Sequence, residues 1–195
     1  MPKIVDHEER RREVTLAAAR IVIESGRSAL TARNVAEATG WSTTVVSHYF
    51  DDMADLFHET YSLAAQRSRR RIDAVLSRDP GDVIGLIEAV LPLDEERRED
   101  WTIWFAFWSE ALSQPKYASE QSERARTTRE RIRKCLSVRQ QRGDIAANAD
   151  IAAASDRLSV LIPGIASSAI FDPKTWTPTR QRTTLRNELL LIGLI

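Results

Sequence analysis

The stretch that decides the fold is TARNVAEATGWSTTVVSHYFDDMADLF, residues 31–57. Thr31 is placed to cap a short helix running to about Ala38, because its hydroxyl can accept from a first-turn amide. Gly40 breaks that helix and can take the left-handed conformation of a tight turn. Ser42 or Thr43 then caps a second short helix to about Tyr49. Two short helices joined by a glycine turn form a helix-turn-helix. Ala36 is small where the helices must cross, and Val35, Trp41, Val46 and Tyr49 are apolar where they must be clamped. Thr43, Thr44, Ser47 and His48 fall on the outward face of the second helix. That face is polar, short-chained and uncharged. Hydroxyls and an imidazole can approach base edges and phosphates in a major groove without burying a carboxylate. Thr31 and Arg33 are placed to meet the DNA backbone, and the run Arg10-Arg11-Arg12 can add phosphate contacts.

Working outward, Val14, Ala17, Ala18, Ile21 and Val22 recur at helical spacing, so a first helix is expected over about Glu8–Ser25. Asp51-Asp52 opens a long helix to about Leu76, with acidic residues at its positive end. SRDPGD, residues 77–82, is a turn. Five more helices follow, over about 82–91, 94–113, 115–142, 150–171 and 178–194. No strand is expected. The fold class is therefore all-α: a three-helix helix-turn-helix domain (1–52), then a long helix leading into a helical bundle (53–195), about nine helices in all.

Composition narrows the function. The chain has 195 residues, 43% hydrophobic and 29% charged, with 28 Lys/Arg balanced by 28 Asp/Glu. The first fifty residues hold seven basic and six acidic groups, so any DNA binding must rest on local placement. No apolar stretch is long enough for a membrane span. MPKIVDHEERRREV, residues 1–14, has no apolar segment of the kind a signal peptide needs. The lone Cys135 cannot form an internal disulfide, which fits a cytoplasmic protein. An enzyme is not expected. Ser42 follows Gly40 but lacks the second glycine and the strand of a nucleophile elbow. His7, His48 and His58 are not paired at metal-ligand spacing, HETYS from His58 lacks a second histidine, and no glycine-rich phosphate loop occurs. No cofactor or metal is implied.

Residues 31–57 resemble the N-terminal domain of the TetR family of bacterial repressors. The resemblance is carried by Thr31, Arg33, Val35-Ala36, Ala38, Gly40, Ser42, Val46, Tyr49-Phe50 and Leu56. It implies that the second short helix reads DNA, with Thr31, Thr43, Thr44, Ser47, His48 and Tyr49 at the interface and Ser42 at the helix start. The family often carries a lysine shortly after Tyr-Phe. Here Met53 stands there among Asp51, Asp52 and Asp55, leaving the amides of the long helix's first turn to hold a phosphate.

In DWTIWFAFWSEAL, residues 100–112, Trp101, Trp104, Phe105 and Trp108 share one helical face. Such a face serves either as bundle core or as the wall of a ligand pocket. WFAFWSEALSQPKYASEQSERARTTRERI, together with SHYF, the opening MPK and the following RRR, is similar to the choline-responsive BetI branch of the family. That implies an effector of the choline or quaternary ammonium type, held by aromatic faces and by a carboxylate, Asp100 or Glu110. Where the family commonly has Asp-Gly in the eighth helix, this chain has Pro163-Gly164. The eighth helix is apolar on two sides, and the chain ends LLLIGLI. The expected homodimer interface uses Leu158, Leu161, Ile162, Ile165, Leu185, Leu189 and Ile192. The expected partners are thus an operator duplex, a small-molecule effector and a second copy of the chain. The alternative is a sensor or carrier of the same fold with weak operator binding.

Overall fold

A computed structural model describes residues 7–195; the opening MPK lies outside them. Every described regular element is helical. Their order is α1 (His7–Ser25), a 3-10 turn (Arg27–Ala29), α2 (Ala32–Thr39), α3 (Thr43–Tyr49), α4 (Met53–Leu76), α5 (Val83–Glu88), α6 (Glu95–Ala111), α7 (Pro115–Arg142), α8 (Ile151–Phe171) and α9 (Pro178–Leu191).

The helix starts follow local chemistry. Thr31, Ser42, Asp52, Asp82, Asp94, Asp150 and Thr177 each cap the helix that follows, their side chains accepting from first-turn amides. Gly40 ends α2 at φ 73°, where a side chain would be strained.

Two apolar cores form. The first joins Val14, Ala18 and Val22 of α1, Val35 of α2, Val46 of α3 and Phe50 to Leu56, Phe57, Tyr61 and Ala64 of α4. Ile103 and Phe107 of α6 and Tyr117 of α7 close it. The second gathers α5 (Leu86, Ile87), Trp101 of α6, Ile132 and Leu136 of α7, Leu158, Ile162 and Ile165 of α8, and Leu185 and Leu189 of α9. The cores divide along α4: Ala64 belongs to the first and Ile72 to the second. The helix-turn-helix core therefore extends past residue 52 and borrows side chains from the bundle.

Five expected interface residues, Leu158, Ile162, Ile165, Leu185 and Leu189, are buried within the protomer's own core. Leu161 and Ile192 pack against it, partly exposed. At those five positions the apolar periodicity of α8 and α9 marks packing inside one chain. The large apolar side chains left outward on these helices include Phe171 (81% exposed), Leu191 (80%) and Leu190 (58%). Arg157 of α8 and Glu188 of α9 meet at 2.7 Å and tie the two helices together.

Pro163 sits inside α8. It has no N–H to give to the carbonyl four residues earlier, that of Ser159.

Candidate functional site

Two places carry chemistry: the outward face of α3, and a cavity between α4, α6, α7 and α8.

On α3 the cap and the turn fix the helix. Ser42 Oγ accepts from the Val45 amide at 3.3 Å, and Thr31 Oγ1 accepts from the Asn34 amide at 3.2 Å. Val46 is fully buried beneath. Thr31, Arg33, Ser42, Thr43, Thr44, Ser47 and His48 are all exposed, and Tyr49 is half-buried. The expected contact residues are thus accessible, and Ser42, Thr44, His48 and Tyr49 face one concavity. Sequence spacing did not place His7 here, yet its ring lies 6.1 Å from that of His48. Its Nδ1 is 3.2 Å from the Tyr49 hydroxyl. His7 and Arg10 line a concavity with Ser42, Thr44, Val45, His48 and Tyr49. The basic run on α1 splits by role. Arg11 donates to the Tyr49 carbonyl at 2.6 Å, lies over Phe50 and reaches Glu59 at 3.6 Å. It braces α1 against the end of α3 and is spent within the fold. Arg10 lies over Trp41, and Arg12 is exposed.

The start of α4 departs from expectation. Asp52 Oδ1 accepts from the Ala54 and Asp55 amides at 2.8 and 2.7 Å. The protein's own carboxylate therefore occupies the amides that a phosphate was expected to use. Met53 packs against the first core.

The cavity has a volume of about 700 Å³. Trp101, Trp104 and Trp108 line it, with Ile72, Leu86, Val90, Ile162 and Pro163 on the apolar side. Phe105 is not part of the lining; it stacks toward Phe171, with ring centroids 6.2 Å apart. Trp101 is pinned, its indole N–H donating to the Val90 carbonyl at 2.7 Å. Neither carboxylate expected at the cavity lines it. Asp100 is fully buried and faces α4, accepting from Arg67 Nε at 2.9 Å and from Arg71 at 2.5 Å. Burial pushes its carboxyl up from the ordinary range, and the two guanidiniums pull it back. Glu110 accepts from Gln114 at 2.6 Å. The polar wall comes instead from Tyr61, Ser68 and Arg69 of α4 and from Glu120, Gln121, Glu123, Arg124, Arg129 and Arg131 of α7. Burial would raise the Glu120 carboxyl, but hydrogen bonds from His58 and Arg124 outweigh it and hold it below the ordinary range. Cys135 is buried away from this wall, its thiol pushed up to about 12 by burial, so it is no nucleophile.

Residues 82–192 match the BetI-type transcriptional repressor C-terminal family, and residues 14–60 match the tetR family of bacterial regulatory proteins. The chain belongs to the TetR family. Its C-terminal region is of the BetI type, and it is a transcriptional repressor with a helix-turn-helix, in a family of regulators rather than enzymes. It is 28% identical over 180 residues to the HTH-type transcriptional regulator PksA of Bacillus subtilis, covering 89% of this chain and 84% of PksA. It is 32% identical over 120 residues to BetI of Paraburkholderia phymatum, covering 59% of this chain and 61% of that relative. A transcriptional regulator from Saccharomonospora viridis in complex with choline shares the TetR fold at TM-score 0.86 and 21% identity, over 93% of this chain and 96% of that one. A Rhodococcus regulator does so at TM-score 0.81 and 22% identity, over 93% and 95%. Among the described residues no helix is long and apolar enough to cross a membrane.

Proposed function

We propose that the chain works in the cytoplasm as a homodimer, that α3 of each copy reads one half of a palindromic operator, and that a small molecule in the cavity releases it. The observation that carries this reading is the double membership of α4. Its early turns supply Leu56 and Phe57 to the reading-head core, and its later turns supply Ser68, Arg69 and Ile72 to the cavity wall. Tyr61 belongs to both. An occupant that shifts this wall moves a single rigid helix, and the reading head moves with it. Release then requires the occupant to bind the non-reading shape more tightly than the reading shape.

One seven-residue reading helix gives little affinity alone. Two, held about 34–36 Å apart, read successive turns of the major groove. The exposed Phe171, Leu190 and Leu191 support pairing through the outward side of α8 and α9. The wild-type protein is expected to be a dimer by light scattering at micromolar concentration. It should also shift its own upstream DNA in gels, with an affinity that falls steeply with salt. A Leu190→Asp, Leu191→Asp double variant should be monomeric and lose that shift while keeping its helical signal. A dimeric double variant would move the interface elsewhere, and a wild type that shifts no DNA would favour the sensor-or-carrier alternative.

Met53→Lys puts a cation beside the α4 start, where Asp52 already caps the helix. Operator affinity should rise several-fold at low salt, with the salt dependence steeper by about one unit per reading head. An unchanged slope would show that this position does not meet a phosphate.

A further inference from the structure

We propose, building on the cavity as the effector site, that the effector is an amphipathic organic anion. Its apolar body lies against Trp101, Trp104 and Trp108, and its charged head group meets the arginines of α4 and α7. The tryptophans taken alone suit a cation, through the negative faces of their rings. The charges around them point the other way.

A carboxylate facing the aromatic wall would strengthen cation binding, but the two carboxylates of the wall already have cationic donors on them. Glu120 gives Oε2 to His58 at 2.7 Å and Oε1 to Arg124 at 3.0 Å. Glu123 gives both oxygens to Arg126, at 2.6 and 3.0 Å. The one tyrosine of the wall is also taken. Phe107 stacks on the Tyr61 ring at 3.6 Å, and the Arg124 guanidinium sits 4.3 Å from its centroid. A resident cation already covers the one tyrosine face of the wall.

The arginines are in surplus. Arg69, Arg124, Arg129 and Arg131 line the cavity against the two glutamates. Arg129 is paired with Asp156 at 2.8 Å, but Arg131 reaches Asp73 only at 3.9 Å. Arg69 has no ion-pair partner among the described residues. Guanidinium forks match carboxylate and phosphate oxygens two at a time, so this wall is built for a negative head group. Ser68, Thr127, Thr128 and Ser159 add hydroxyls beside it. At about 700 Å³ the cavity has room for an alkyl or aromatic body as well as the head group.

The test is a tryptophan-fluorescence titration of the full-length protein with octanoate, octyl phosphate and octyltrimethylammonium, which share one apolar body. At least one of the two anions is expected to saturate the signal at ~10-fold lower concentration than the cation. Arg69→Gln, a change at an exposed side chain that the fold does not need, should weaken the tighter anion by roughly tenfold and leave the cation no weaker. A cation that binds as tightly as both anions, or an Arg69→Gln protein with unaltered anion affinity, overturns the anionic effector while leaving the cavity as the effector site. No saturable response to any of the three would overturn the cavity reading as well.

Discussion

Thr44→Glu should lower operator affinity by at least ~100-fold, equivalent to about 3 kcal/mol, without lowering thermal stability. Thr44 sits on the second residue of α3 after the Ser42 cap. It is exposed, so no neighbour must move to admit a longer side chain. A carboxylate at that position faces the positive end of the helix, which stabilises the helix slightly. The same carboxylate would point at the phosphates and base-edge acceptors of a major groove, where like charge is costly. Folding and binding thus respond with opposite signs. In a dimer the penalty is counted in both half-sites. Gel shifts at two salt concentrations beside a thermal melt would check this. Retained binding by a well-folded Thr44→Glu protein would remove α3 from the interface.

The helix-turn-helix was legible because local chemistry fixes it. A cap at Thr31, a left-handed Gly40, a cap at Ser42 and the buried Val35 and Val46 each act within a few residues of one another. The cavity was half legible. Trp101, Trp104 and Trp108 announce themselves by size and spacing, but Phe105, one residue from Trp104, turns toward Phe171 instead. A helical wheel cannot divide a face between two neighbours. The arginines of α7 were invisible for a different reason. A helix reading SERARTTRERIRK carries charge on every side, and such a run is ordinarily a solvated face. Only the packing of α7 against α6 and α8, opposite α4, shows which charges meet the cavity. Five of the seven expected interface positions went into the protomer's own core for the converse reason. Leu158 and Leu185 are apolar at the right period, yet a protomer core and a dimer interface leave the same periodic mark. The part of α1 in the reading head, His7 beside His48 and Arg11 under Tyr49, depends on a contact across some forty residues that no local pattern encodes.

The largest effect on stability is expected at Asp100. Its carboxylate is fully buried and holds Arg67 and Arg71 of α4, and Arg71 also reaches Glu96 and the Ala89 carbonyl. Asp100→Ala removes the shared anion; Arg71 keeps Glu96 and the Ala89 carbonyl, while Arg67 is left without its ion pair. Breaking a buried pair in this way costs about 3–5 kcal/mol. The lower end applies here, because the two arginine side chains keep 19% and 21% of their surface and can turn partly to water. A loss of about 3 kcal/mol corresponds to a fall of roughly 6–12 °C in Tm for a chain of this size. Asp100→Leu made together with Arg67→Met and Arg71→Met should recover most of that loss, since the charges leave together and apolar packing replaces them. Recovery in the triple variant, with a deep loss in the single one, identifies unpaired charge as the cause. A triple variant as unstable as Asp100→Ala would mean that the network matters through its geometry, as the clasp holding α4 on α6, rather than through charge compensation.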